Sequence, residues 1–133
     1  MHSTEITVDT SRSKVTDITD RVRSFCRHQA DGLVHVFAPH ATAGLALMET
    51  GSGSEGDLER LLDDLLPRDD RWRHRHGSPG HGADHLLPVL VSPSLSIPVE
   101  GGRPLLGTWQ SVVLVDLNDD NADRRVRLSF LSG

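Results

Sequence analysis

GTWQSVVLVDL, residues 107–117, is the stretch on which the architecture turns. Its centre, Val112 to Val115, is apolar at four consecutive positions. A strand with one wet face would alternate, so this run needs cover on both sides. It therefore predicts a central strand in a layered domain. The rest of the chain must supply the two covers.

Working outward, Asn118 to Asn121 reads as a turn, and residues 125–131 alternate again with Val126, Leu128 and Phe130 on one face. Upstream, Leu95 to Val99 reads as a strand that Pro98 places near an edge or an end. Leu33 to Phe37 splits into a Leu33, His35, Phe37 face and a Val34, Val36 face, and stops at Pro39. Leu45 to Met48 can pair back after the turn at 40–44. Ser3 to Val8 has the pattern of an edge strand, followed by a short strand at Lys14 to Ile18.

Two segments carry helical spacing. Thr19 is placed to cap a helix from Asp20 to about Gln29, with Val22, Phe25 and Cys26 inward and Gly32 beyond its end. Ser54 and Asp57 resemble an acidic capping box. Leu58, Leu61, Leu62 and Leu65 then form an amphipathic stripe that Pro67 terminates, with Glu59, Asp63 and Asp64 outward. Residues 67–88 show no periodicity, and a loop of that length in a small domain is usually functional or mobile. The order of elements has no β-α-β regularity and no repeat. The expectation is one α+β domain, residues 1–133, on a mostly antiparallel sheet or sandwich with two main helices.

The chain has 133 residues, enough for one core, with 36% hydrophobic and 25% charged residues. A net charge of -5 argues against nucleic acid as a partner. One cysteine, Cys26, excludes an intrachain disulfide and reads as a buried thiol. No run approaches the roughly 20 apolar residues of a membrane span, and the N-terminal residues lack an apolar signal core. Those absences give the expectation of a cytoplasmic protein without a membrane partner.

HRHGSPGHGADH, residues 74–85, holds four of the eight histidines. His81 and His85 are four apart and would share a face on a helical turn; His74 and His76 would share a face on a strand. No HExxH or CxxC is present, so the spacing alone leaves a metal site and a polar surface loop both open. Nitrogen ligands would suit zinc or a neighbouring transition ion. His40 in PHATAG, residues 39–44, could present an imidazole to an anion or simply close a turn. Glu49 could serve as a base, orient a histidine, or pair with a cation. In Leu106-Gly107-Thr108-Trp109-Gln110 the indole offers a flat wall and the amide a reader of polar edges, or the indole packs. Gly101-Gly102 lacks the strand–helix setting of a dinucleotide loop.

PHATAG resembles the "pHTTAG" signature of the YjbQ family, uncharacterised protein family 0047. Ser92 to Val99, Gly102-Arg103 and LGTWQ are similar to that family's signature strands, and the match runs in order from about Ile18 to the C-terminus. The resemblance implies that His40, Glu49, His74 and His85 are catalytic, with His40, His74 and His85 as metal ligands. It implies Thr42, Trp109 and Gln110 on the substrate, and leaves His76 and His81 as bystanders. It further implies a homotrimer with thiamine phosphate synthase activity, joining a pyrimidine diphosphate to a thiazole phosphate. The metal would be zinc or a similar divalent ion, with magnesium accompanying a diphosphate substrate. The alternative is a non-catalytic trimer that binds a metal or a small phosphorylated metabolite. Departures from the family pattern are Met48, Ser52 to Ser54, Pro79, His81 in place of asparagine, Asp84 in place of alanine, and the longer turn at 118–124.

Overall fold

In the computed structural model, which describes residues 1–133, the apolar run becomes β7 (Ser111–Asp116). It lies at the centre of a three-stranded sheet, between β2 (Val15–Asp17) and β4 (Ala43–Met48). Val112 and Leu114 enter one core, while Val113 and Val115 enter another on the opposite face. All four are fully buried. At roughly 1.5–3 kcal/mol per buried aliphatic side chain, this strand is a main source of stability.

The first cover is a five-stranded sheet ordered β1 (His2–Asp9), β8 (Asp123–Ser132), β3 (Gly32–Phe37), β5 (Ser94–Glu100) and β6 (Arg103–Pro104). Every pairing in both sheets is antiparallel. Val34, Val36, Ile97, Val99, Val126 and Leu128 face β7 across the larger core, and α1 (Thr19–Cys26) adds Val22 and Cys26. Burial raises the Cys26 thiol to about 11, so it stays protonated and packs as an apolar group. The second cover is helical: α2 (Ser54–Leu65), α3 (His81–Asp84) and α4 (Leu87–Leu90). Leu62, Leu66, Ala83 and Leu87 close the smaller core. The α+β sandwich expected from the sequence is the one observed. No helix is long and apolar enough to cross a membrane.

Local details differ from expectation for identifiable reasons. Thr19 does not cap α1; Asp17 Oδ1 accepts from the Thr19 amide at 2.9 Å, and the Thr19 hydroxyl accepts from the Val112 amide at 2.8 Å. The helix ends at Cys26 rather than Gln29 because the Gln29 amide turns back to the Cys26 carbonyl at 2.9 Å. Ser54 is not the cap of α2 either. Gly53, at φ 98°, precedes the helix, and the Glu55 carboxylate accepts from the Gly51 amide at 3.0 Å. The helix is rotated so that Leu58, Leu62 and Leu66 point inward, leaving Leu61 and Leu65 more than half exposed. Residues 67–88 are not structureless, since they contain α3 and begin α4.

Register decides which loops meet. In the β4–β7 pair Ala43 faces Asp116 and Met48 faces Ser111. Residues 40–43 thus share one end of the sheet with 116–120. Glu49 shares the other end with Gln110.

Candidate metal centre

The histidine segment is fastened before any histidine is considered. The Trp72 indole donates to the Pro67 carbonyl at 2.8 Å, and its ring packs on the smaller core. Asp84 on α3 is fully buried; it is bound by Arg68, which also reaches its second oxygen at 3.2 Å, and by Asn118 Nδ2 at 2.9 Å. This tie joins the start of the loop, α3, and the end of β7. A buried carboxylate is tolerated only with such partners.

Two glycines permit the close packing. Gly80 has φ 87°, and a Cβ there would come within 2.5 Å of the Arg68 guanidinium. A Cβ on Gly82 would lie 2.3 Å from the His74 carbonyl oxygen, so only glycine lets α3 rest on the chain at 72–74. The result is that His74, His81 and His85 converge. One ring nitrogen from each lies within 4.8 Å of the others.

His81 Nδ1 lies 3.0 Å from Asp120 Oδ2. With Nδ1–H donating to that carboxylate, Nε2 keeps its lone pair and faces His85 Nε2 at 3.0 Å. Two nitrogens on a tetrahedral zinc, each about 2.0–2.1 Å from the ion, stand about 3.3 Å apart. The observed spacing is near that value. Hydrogen bonding from Ser78 first, then from His81 and Asn118, holds the Asp120 carboxyl below its ordinary range despite partial burial. Burial, reinforced by the neighbouring rings, pushes His74 and His85 below the ordinary histidine value, so both are neutral and able to ligate at neutral pH.

Only two buried side-chain polar atoms in the chain lack a hydrogen-bond partner, His74 Nε2 and Ser78 Oγ. Both belong to this segment. A cavity of about 210 Å³ beside them is lined by His74, Ser78 and His81, among others. Buried polar atoms without partners are rare and need an explanation. Three imidazole nitrogens fit a zinc-type cation; magnesium, which takes oxygen ligands, does not fit them.

The expected ligand set is corrected in two places. His81 belongs to the cluster and is not a bystander. His76 lies alongside, its ring 4.1 Å from that of His74, but it is exposed and outside the three-nitrogen set. His40, by contrast, is removed. Its Nε2 accepts from the Arg125 amide at 2.9 Å, so the neutral ring carries its proton on Nδ1 and has no lone pair for a metal. Burial first, then Arg124, lowers its proton affinity, against Asp116 and Asp123.

The other expected site residues are elsewhere or occupied. Thr42 is buried and accepts from Arg124 Nη2 at 2.7 Å, in a network where Arg124 also grips Asp116 at 2.7 and 3.0 Å. Glu49 is exposed. Trp109 is 73% exposed, and Gln110 Oε1 accepts from the Gly107 amide at 2.8 Å. From Gln110 to Asn118 the chain runs along β7 for about 26 Å at the usual strand rise. Within one chain, Glu49, Trp109 and Gln110 are therefore at the opposite end of the sheet from the histidines. Asp120, Asn118 and Arg68 were missed by sequence reasoning; the first two read only as turn residues.

The comparisons agree with this fold. Residues 4–133 match the family described as UPF0047 protein YjbQ-like. A UPF0047 protein of Mycobacterium tuberculosis is 62% identical over 133 residues, covering all of both chains. The UPF0047 protein YugU of Bacillus subtilis is 31% identical over 115 residues, 82% of this chain and 83% of its own. A crystal structure of a hypothetical protein from Aeropyrum pernix superposes over all of both chains with a TM-score of 0.90 and 30% identity.

Proposed function

The chain belongs to the YjbQ-like UPF0047 family, and on that footing we propose that it is a metal-dependent transferase of the thiamine phosphate synthase type, centred on His74, His81 and His85. The observation that carries the reading is the convergence of one imidazole nitrogen each from His74, His81 and His85, in a segment where His74 Nε2 has no partner. In the reaction the thiazole nitrogen bonds to the pyrimidine's methylene carbon, and diphosphate leaves with the bonding pair. A zinc-type cation held there would neutralise charge on the departing diphosphate. Asp120 fixes the His81 ring. The Ser78 hydroxyl, beside Asp120, could donate to a phosphate oxygen in the same cavity. Any magnesium would arrive on the substrate's own oxygens.

The working assembly is a homotrimer in the cytoplasm. A cavity of about 210 Å³ accepts a phosphate-sized group and not two heterocycles. Glu49, Trp109 and Gln110 reach such a group only from a neighbouring chain. The helix layer also exposes Leu61, Leu65, Val89 and Leu90, apolar surface of the kind that oligomers cover. The second reading, a non-catalytic trimer that holds a metal and a small phosphorylated metabolite, draws on the same separation of Glu49 from the histidines; the unpaired carboxylate at their cavity is Asp70.

Chelator-treated protein titrated with zinc should take up one ion per chain, and His81→Ala should lose it. Zinc-loaded wild type should then couple the pyrimidine diphosphate to the thiazole phosphate, with His81→Ala inactive. Equal product from the two proteins would overturn the site. Zinc uptake with no product from either would favour the binding protein. Undiminished product from His40→Ala would exclude His40 from the chemistry.

A further inference from the structure

A second concave site lies at the C-terminal end of α1. A cavity of about 480 Å³ is lined by Arg23, Arg27, Gly101, Gly102, Arg103 and Pro104. No acidic and no aromatic side chain lines it. None of these residues hydrogen-bonds to the histidine centre.

The three guanidinium groups come from two elements. Arg23 and Arg27 are four apart, on one side of the last turn of α1. Arg103 follows the β5–β6 turn, where Gly101 and Gly102 have φ of 58° and 77°. A Cβ on Gly102 would lie 2.9 Å from the Arg27 carbonyl oxygen, so the turn is seated directly on the helix end. That seating brings Arg103 to the other two arginines. Of the nearby carboxylates, Asp31 accepts from the Gly101 amide at 2.8 Å, and Asp20 reaches Arg23 only at 3.9 Å, with its own side chain 98% exposed. Glu100, the cross-strand neighbour of Arg103, is exposed, makes no ion pair and does not line the cavity. Arg27 and Arg103 have no side-chain hydrogen bond or ion pair. The dipole of α1 favours a positive charge at this end. It does not account for three on one cavity in a chain of net charge -5.

We propose that this pocket binds the phosphoryl groups of a small, multiply charged ligand. Guanidinium forks match phosphate oxygens in pairs, and three of them suit a diphosphate better than a single phosphate. The volume accommodates a metabolite of modest size. With three guanidinium groups and no acidic side chain on the wall, the charged end is the part that is recognised. The proposal is independent of the metal centre, because no residue is shared.

The test is calorimetric titration of chelator-treated, full-length protein at low ionic strength with inorganic pyrophosphate, inorganic phosphate and citrate. Pyrophosphate should bind at one site and more tightly than phosphate. Arg103→Gln and Arg27→Gln should each weaken it by about tenfold or more, the usual scale for a charged hydrogen bond. These side chains are exposed, so melting temperatures should not move. Arg12→Gln, which removes a charge elsewhere, and His81→Ala should bind like wild type. Loss of binding in His81→Ala, indifference to both arginine changes, or no binding at millimolar pyrophosphate would each overturn the site. Citrate binding as tight as pyrophosphate would overturn the phosphoryl assignment.

Discussion

Asp120 makes the proposed centre more than a coincidence of three rings. With His81 Nδ1–H donating to the Asp120 carboxylate, the other ring nitrogen faces His85. Removing it in Asp120→Ala should weaken zinc binding by about 10- to 100-fold, measured against a competing chelator, while leaving the three ligands in place. pH gives a second expectation. His74 and His85 have proton affinities lowered in the fold. Unfolded rings take up protons near 6.5 where the folded ones resist. The metal-free protein should therefore keep its full stability above about pH 6.5 and lose part of it as pH falls from there through the lower folded values. Urea unfolding of metal-free protein at pH 7.5 and 5.5, compared with His74→Ala, isolates that share. In the sequence the i, i+4 spacing of His81 and His85 was the available signal for this pair. Matching to the family's asparagine at position 81 pointed away from it. The separation of His40 from these rings was not legible, because a one-dimensional motif cannot show which ring nitrogen the Arg125 amide will occupy.

At the scale of elements, the doubly apolar run at 112–115 was fully legible, since continuous aliphatic residues admit a central strand and little else. Helix ends were less so. Asp17 and Glu55 reach backbone amides from positions outside the expected caps, and sequence spacing does not say which of several polar neighbours gets there first. The rotation of α2 was ambiguous because four leucines in eight residues span more than the face one sheet can cover. Leu62→Ala should cost about 2–5 kcal/mol, read by urea unfolding, because it empties part of the smaller core. Helix α3 was hidden because it is four residues long and held by contacts distant in sequence. Its packing rests on Gly82. In Gly82→Ala the added methyl would meet the His74 carbonyl, separating His74 from the other two rings. Zinc affinity should fall more than tenfold although no ligand has changed, and unfolding should be easier by about 1–3 kcal/mol.

The whole molecule has its two groups of family-implied residues at opposite ends of one strand. Sequence order could not reveal this, because it records neither register nor which chain end faces which. For the proposed assembly, light scattering should give a mass of about three 14.6 kDa chains. Replacing Leu61 and Leu65 by lysine should shift the particle toward monomer, and a monomeric wild type would overturn the trimer. The Arg68–Asp84–Asn118 tie has a consequence of a different kind. It anchors α3 without using any histidine, so departure of a metal would leave the anchor in place and slacken only the leash between residues 69 and 80. Amide exchange in that leash would then quicken on metal loss, while β7 and β8 exchange at the pace of global unfolding in either state. Metal occupancy would be written into the motion of a dozen residues, with the two sheets insulated from it.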